Sequence, residues 1–245
     1  MAVQRIEILG VPVDIVQPQE LEEVINSLNE ETGVKQIVFL SIWDLLKARR
    51  KNEFAKTVRN ANLVIPISKS IISGARFLKK SVPVRYNPFN FTINLLSILE
   101  NGYKSFYLLG GRKKTLSAAE KHVRMTFPNL KMVGRYVGYY PKTVENDIIQ
   151  AIYKASPTLV LLSEGVKEKD CWLNNKRDLF TTSTFLYYRD LLGILSERNN
   201  RINEKTFEKG LEIVPEIIKN PLKLFLIFPF LWYNILLVCK RLFNK

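Results

Sequence analysis

A chain of 245 residues with 47% hydrophobic and 24% charged residues can bury a full core, which excludes long disorder. Its 37 basic against 23 acidic residues give a net charge of +14, a field that draws nucleotide phosphates, anionic headgroups or nucleic acid, although a lysine-favouring composition gives the same bias with no partner. Cys171 and Cys239 stand far apart and outside any Cys-x-x-Cys or Cys/His pattern, so no structural metal and no other cofactor is expected.

Met1 to Ile6 lacks the basic-then-apolar layout of a signal peptide, so the chain is expected to begin in the cytoplasm. Arg5 to Leu9 reads as a strand ended by Gly10, followed by a turn-rich stretch from Val13 to Pro18 and a helix from about Gln19 to Leu28. Gln36 to Leu40 is almost uniformly apolar, the mark of a strand buried on both faces. A single helix is predicted from about Trp43 to Asn60, with Lys47, Arg49, Arg50 and Lys51 on its solvated side. Asn62 to Ile65 is the next strand, running into Pro66-Ile67-Ser68-Lys69-Ser70, a loop at a strand end that offers hydroxyls and a lysine but no acid.

Further along, Ser105 to Leu109, Leu130 to Gly134 and Thr158 to Ser163 read as strands, alternating with helices over Thr115 to Met125 and Val144 to Ala155. Such alternation predicts βαβ units, hence an α/β, doubly wound and mostly parallel sheet of Rossmann-like type. Ligands in such sheets sit beyond the carboxyl ends of the strands. Those ends carry Gly110-Gly111-Arg112, Gly138-Tyr139-Tyr140 and the segment Gly165 to Trp172. Glycine amides and a helix N-terminus suit a diphosphate, and a plain structural turn suits the same glycines. Neither the dinucleotide fingerprint nor the phosphate-loop pattern is present. His122, in a polar helical context, reads as a surface residue.

Together, Ile8-Leu9-Gly10-Val11-Pro12-Val13-Asp14, Leu108-Leu109-Gly110-Gly111, Phe127 to Gly134, Gly138-Tyr139-Tyr140, Gly165 to Trp172 and Gly210-Leu211-Glu212 resemble the WecG/TagA/CpsF family of bacterial glycosyltransferases, the N-acetylmannosaminyltransferase type. The resemblance implies transfer of an amino sugar from a UDP-sugar, without a required metal, to a polyprenyl-diphosphate-linked saccharide during cell-envelope polysaccharide synthesis. It implies a nucleotide-sugar site at Gly110, Gly111, Arg112, Tyr139, Gly165, Asp170 and Trp172.

This chain departs from the family pattern at several polar positions. Where the family carries Pro-Asp-Gly, whose aspartate is the proposed general base, the sequence has Pro66-Ile67-Ser68. Isoleucine accepts no proton, and general-base assistance is typically worth about 10² to 10⁴ in rate. Thr-x-Asn becomes Ser41-Ile42-Trp43, and Gly-x-Pro-Lys-Gln-Glu-x-Trp becomes Gly165 to Trp172 with Lys169 and Asp170 at the Gln and Glu positions. The acid of a further Gly-x-Asp-Leu site is missing from Val84 to Phe89. Two functions follow: a membrane-associated glycosyltransferase with an altered base, or an inactive glycosyltransferase-fold scaffold or partner subunit. Ser68, Ser70 or Asp170 could substitute as the base, although a serine is a poor base without an activator.

Residues 1–195 are expected to form the α/β domain and 196–245 a C-terminal helical appendage that associates with the membrane. Leu224 to Cys239 is a run of 16 uncharged residues flanked by Lys223, Lys240 and Arg241. A spanning helix needs roughly 20, and Pro229 is expected to break this one into a hairpin or pair of helices lying in the cytoplasmic leaflet. Phe225, Phe228 and Trp232 would enter the lipid while the cations meet headgroups. The other reading of this run is a buried core or oligomerisation helix, whether with a second copy or a partner protein. Scattered cations and aromatics confined to apolar runs argue against nucleic acid.

Overall fold

The computed structural model describes residues 3–210 and 225–243. The chain opens with a hairpin in which β1 (Gln4–Ile8) pairs antiparallel with β2 (Val11–Ile15), Ile8 opposite Val11. Leu9 and Gly10, with φ of 53° and 79°, make the two-residue connection, both in the left-handed region that suits the twist of the flanking strands. The start of the expected turn at 13–18 is therefore strand instead. Asp14 decides this: its carboxylate accepts the Val64 amide at 2.6 Å and fastens β2 to the main sheet.

After α1 (Leu21–Glu30) comes β3 (Lys35–Leu40), buried at every residue. The single helix expected from 43 to 60 is two, α2 (Ile42–Ala48) and α3 (Glu53–Asn60). Asn52 divides them, its Oδ1 capping α3 through the Ala55 amide and its Nδ2 donating to the Lys47 carbonyl, each at 2.8 Å. The basic run between them is exposed, as expected of a solvated face.

The rest of the chain supplies β4 (Leu63–Pro66), α4 (Lys69–Phe77), α5 (Pro88–Asn101), β5 (Ser105–Leu109), α6 (Lys113–Thr126), β6 (Lys131–Tyr136) and α7 (Glu145–Ala155). It continues with β7 (Leu159–Leu162), β8 (Thr184–Tyr187), α8 (Leu191–Leu195), α9 (Glu204–Lys209) and α10 (Ile227–Phe243). Among the described residues the main sheet has six strands in the order β4-β3-β8-β7-β5-β6, every pairing parallel. One face is covered by α1, α5, α6 and α8, the other by the hairpin, α2, α3, α4, α7 and α10. This is the expected doubly wound α/β architecture, with apolar side chains alternating between two cores along each buried strand.

Pro229 does not break the C-terminal run: it is the third residue of α10, in the first turn, where a missing N–H loses no helical bond. The helix packs on α4 through Tyr233, 1% exposed, whose hydroxyl donates to the Ser70 carbonyl at 3.0 Å, and through Leu237. Gly74 makes room: a Cβ there would lie 2.2 Å from the Tyr233 hydroxyl and 3.3 Å from Leu237 Cδ1. In a free helix Gly→Ala stabilises by roughly 0.5–1 kcal/mol. Gly74→Ala is expected to do the opposite, lowering the urea midpoint; a raised midpoint would show that α10 does not rest on α4.

Candidate functional site

In this sheet β5 leads through α6 to β6 on one side, whereas β7 leads to β8 on the other. Adjacent connections that diverge leave a crevice at the carboxyl ends of β5 and β7, the usual place for a ligand. The loops around it are laced together by backbone hydrogen bonds. Gly110 N–H donates to the Tyr136 carbonyl at 3.0 Å, Gly111 N–H to Glu164 at 2.8 Å, and Gly138 N–H to Gly111 at 2.9 Å. A Cβ on Gly138 would stand 2.3 Å from the Glu164 carbonyl oxygen and 2.9 Å from Gly110 Cα, so only glycine permits this approach. Gly165, at φ 91°, lies under the Tyr139 ring in the same way. The Gly110 and Gly111 amides thus already donate within the protein. Cationic contact in the crevice comes instead from Arg112, at the start of α6 with its guanidinium 5.4 Å from the exposed Tyr139 ring.

Two crevice residues escape the sequence reading: Glu164 and Arg198, whose Nη2 and Oε2 form an ion pair of 2.7 Å. Asp190, beyond β8, is a third charged group at this edge. The signal for Glu164 and Asp190 is an acid placed two or three residues past a buried strand.

A cavity of about 240 Å³ lies beside the crevice, lined by Gly138, Tyr140, Lys142, Glu145, Gly165, Lys167, Glu168 and Trp172. It is smaller than the roughly 300–1,000 Å³ of typical ligand pockets, room for part of a nucleotide sugar. Trp172 does not present a free ring to it. The side chain is 1% exposed and packed against Phe180 and Phe185, with ring centroids at 6.1 Å in each case. Its Nε1 donates to Tyr140 Oη at 2.9 Å and to Glu145 Oε1 at 3.1 Å, while Lys176 sits 5.0 Å over the ring and pairs with Glu168 at 2.7 Å. Trp172 is the floor of the cavity, held by polar groups at its rim. Burial pushes the Tyr140 phenol up to about 12, so it remains a neutral hydrogen-bonding group.

Asp170 lies away from this cavity, in the short 3-10 turn Lys169–Leu173. Its carbonyl accepts from Gln36 Nε2 at 2.6 Å, and its carboxyl shares a partly buried site with Asp44. Asp44 is held by the Ser41 hydroxyl at 2.5 Å in a capping box at the start of α2. Burial first, and then Asp44, pushes Asp170 up to about 8, against the attraction of Lys47 and Lys169. The native state therefore binds this proton more tightly than the unfolded chain, so its stabilisation is complete below about pH 4 and is lost as the pH rises through about 8. The urea midpoint is expected to fall between pH 5 and pH 8.5, and Asp170→Asn to flatten the fall. Equal slopes in both proteins would count against the acid pair.

Ile67 stands farther along the same edge, past β4. Its amide donates to the Leu40 carbonyl at 3.0 Å, its carbonyl accepts from Arg85 Nε at 2.8 Å, and its side chain is half-buried against the core. Arg85 in turn stacks 3.7 Å over Phe207 of α9. Ile67 lines neither the cavity beside the crevice nor a groove of about 490 Å³ between α4 and α10 that Lys69, Ser70, Phe77, Phe230 and Val238 help to line.

Of the residues expected to meet lipid, Phe225, Phe228 and Trp232 are exposed, at 66%, 63% and 54%. Lys240 is also exposed. Arg241 is exposed too, and it also donates to the Phe77 carbonyl at 2.9 Å and lies 4.6 Å over its ring. Lys223 lies outside the described residues. Among the described residues no helix is long and apolar enough to cross a membrane, and both cysteines are free thiols.

Sheet order and crevice define an α/β protein of the Rossmann-like class, with a crevice at the switch point of its parallel sheet. The profile of the glycosyl transferase WecG/TagA/CpsF family matches residues 6–245, and the chain belongs to that family. It is 20% identical over 203 residues to the N-acetylglucosaminyldiphosphoundecaprenol N-acetyl-beta-D-mannosaminyltransferase of Bacillus subtilis (strain 168), covering 83% of this chain and 74% of the relative.

Proposed function

We propose that this protein binds a UDP-linked amino sugar in the crevice between β5 and β7 and transfers the sugar to a polyprenyl-diphosphate-linked saccharide at the cytoplasmic face of the membrane, in cell-envelope polysaccharide synthesis. The observation that carries this reading is the switch-point crevice, with Arg112 at its mouth and Lys142 and Lys167 lining the adjoining cavity. Cations there suit the charge of a diphosphate. The relative's name describes transfer of N-acetylmannosamine to an undecaprenol-diphosphate-linked N-acetylglucosamine, and the same acceptor class is taken for this chain. A lipid-linked acceptor needs the enzyme at the bilayer, and the exposed apolar side of α10 suits that.

The second reading, a nucleotide-sugar-binding scaffold without transfer, is favoured by Ile67, whose half-buried apolar side chain occupies the family's base position. The two are separated by incubating the full chain with radiolabelled UDP-N-acetylmannosamine or UDP-N-acetylglucosamine and lipid-linked acceptor in bacterial membranes. Label passing into the lipid fraction supports the transferase. Bound UDP with no transfer in repeated trials supports the scaffold.

A further inference from the structure

Among the described residues one buried side-chain atom lacks a hydrogen-bond partner, Oε1 of Glu164, a residue two positions past the carboxyl end of β7 and thus beside the crevice. A buried acceptor without a donor destabilises a fold, and native proteins keep such groups where function uses them or water completes them.

Everything else about Glu164 is fixed. Its carbonyl accepts from Gly111 at 2.8 Å, its amide donates to Arg189 at 3.2 Å, and its Oε2 is held by Arg198 at 2.7 Å. Arg198 is itself placed by a tight loop after α8. Asn199 N–H donates to the Gly193 carbonyl at 2.9 Å, and a Cβ on Gly193 would meet Asn199 Nδ2 at 2.4 Å and Arg198 Nη2 at 3.1 Å. Arg198 Nη1 also reaches Thr115 Oγ1, at the start of α6, at 3.5 Å. The result is a carboxylate oxygen in fixed orientation beside the loops that carry Arg112 and Tyr139.

An ionised carboxylate only accepts hydrogen bonds, so its partner must be an O–H or N–H donor. A diphosphate has no such donor and is repelled by the charge. Sugar hydroxyls have donors. We propose that Glu164, positioned by Arg198, accepts a hydrogen bond from a ring hydroxyl of the bound nucleotide sugar, on the ribose or on the transferred sugar, and thereby selects the ligand. The inference rests on the nucleotide-sugar reading above and adds the residue that recognises hydroxyls. A site built around a substrate hydroxyl rejects the analogue that lacks it far more strongly than an apolar pocket does.

The test is calorimetric titration of the full chain, wild type, Glu164→Gln and Glu164→Leu, with UDP, 2′,3′-dideoxy-UDP and UDP-N-acetylglucosamine. Ribose recognition predicts that the wild type binds UDP at least about tenfold tighter than the dideoxy analogue. Glu164→Leu would then close the gap and Glu164→Gln, which keeps an acceptor oxygen, narrow it. Recognition of the transferred sugar predicts instead that UDP-N-acetylglucosamine binds tighter than UDP and that the substitutions remove that gap. Wild-type binding of UDP with neither gap, or with gaps the substitutions leave intact, overturns the inference alone and makes Glu164 a water-satisfied structural acid. No binding of any of the three by the wild type overturns the nucleotide-sugar reading and this inference with it. The wild-type comparison needs no variant, so it stands even if Glu164→Leu does not fold.

Discussion

Replacing Phe228, Leu231, Trp232 and Ile235 together by serine is expected to abolish sedimentation of the protein with anionic lipid vesicles. These side chains are 63%, 50%, 54% and 51% exposed and fall at i, i+3, i+4 and i+7 on α10, one continuous stripe opposite the Tyr233 and Leu237 side that packs on α4. Val238 and Leu242 extend the stripe, at 46% and 67%. An exposed apolar stripe on this scale marks an interaction surface. Taking about 1 kcal/mol for each half-exposed side chain entering the lipid, the four together contribute about 4 kcal/mol, close to a thousandfold in partitioning. The folded domain should hardly notice, because surface changes away from packing are usually within about 0.5 kcal/mol. Unchanged sedimentation would remove the membrane from the functional proposal. Loss of a defined oligomer in place of lost vesicle binding would instead assign the stripe to a second copy.

The largest stability effect is expected at Asp14. Its side chain is 1% exposed and accepts from Arg5 Nε at 2.7 Å, Arg5 Nη2 at 2.8 Å and the Val64 amide at 2.6 Å. Arg5 Nη2 also donates to the carbonyls of Ala61 and Asn62, at 2.9 and 3.2 Å. One carboxylate thus ties the hairpin to β4 and to the turn before it. Asp14→Ala leaves the Val64 amide buried without an acceptor and Arg5 without a counter-ion. Breaking a buried pair from one side costs about 3–5 kcal/mol. With Arg5 36% exposed and able to reach water, the lower end of that range is expected. The urea midpoint should fall accordingly with an unchanged slope, Asp14→Asn should lose less, and a change under about 1 kcal/mol would show that the hairpin is not held this way.

Asp14 also shows how a sequence mark can be legible while its purpose is not. It belongs to the Ile8 to Asp14 stretch that carries part of the family resemblance, yet it lies in a structural anchor and far in the fold from the crevice. Trp172 is similar: its place in the motif is readable, but its burial beneath the cavity depends on Phe180 and Phe185, which only the folded chain brings to it. Ile67 reads from the sequence as a missing acid, whereas its ties to Leu40 and Arg85 come from the neighbouring strand and the segment before α5.

By itself the sequence determined the α/β class, the parallel order implied by alternating strands and helices, the glycine-bearing strand ends and the exposed side of the basic run. These rest on local periodicity and on short-range turn chemistry, which a single chain displays openly. It did not disclose β8, four residues long, which sits between β3 and β7 in the middle of the sheet, because so short a run becomes a strand only through its two neighbours. Nor did it disclose that Pro229 would fall in the first turn of α10, or that Glu164 and Arg198, 34 residues apart, would meet in the crevice. Those outcomes belong to the tertiary structure, since strand pairing, burial and the approach of distant charges are set by contacts between segments and leave no periodic trace in either segment alone.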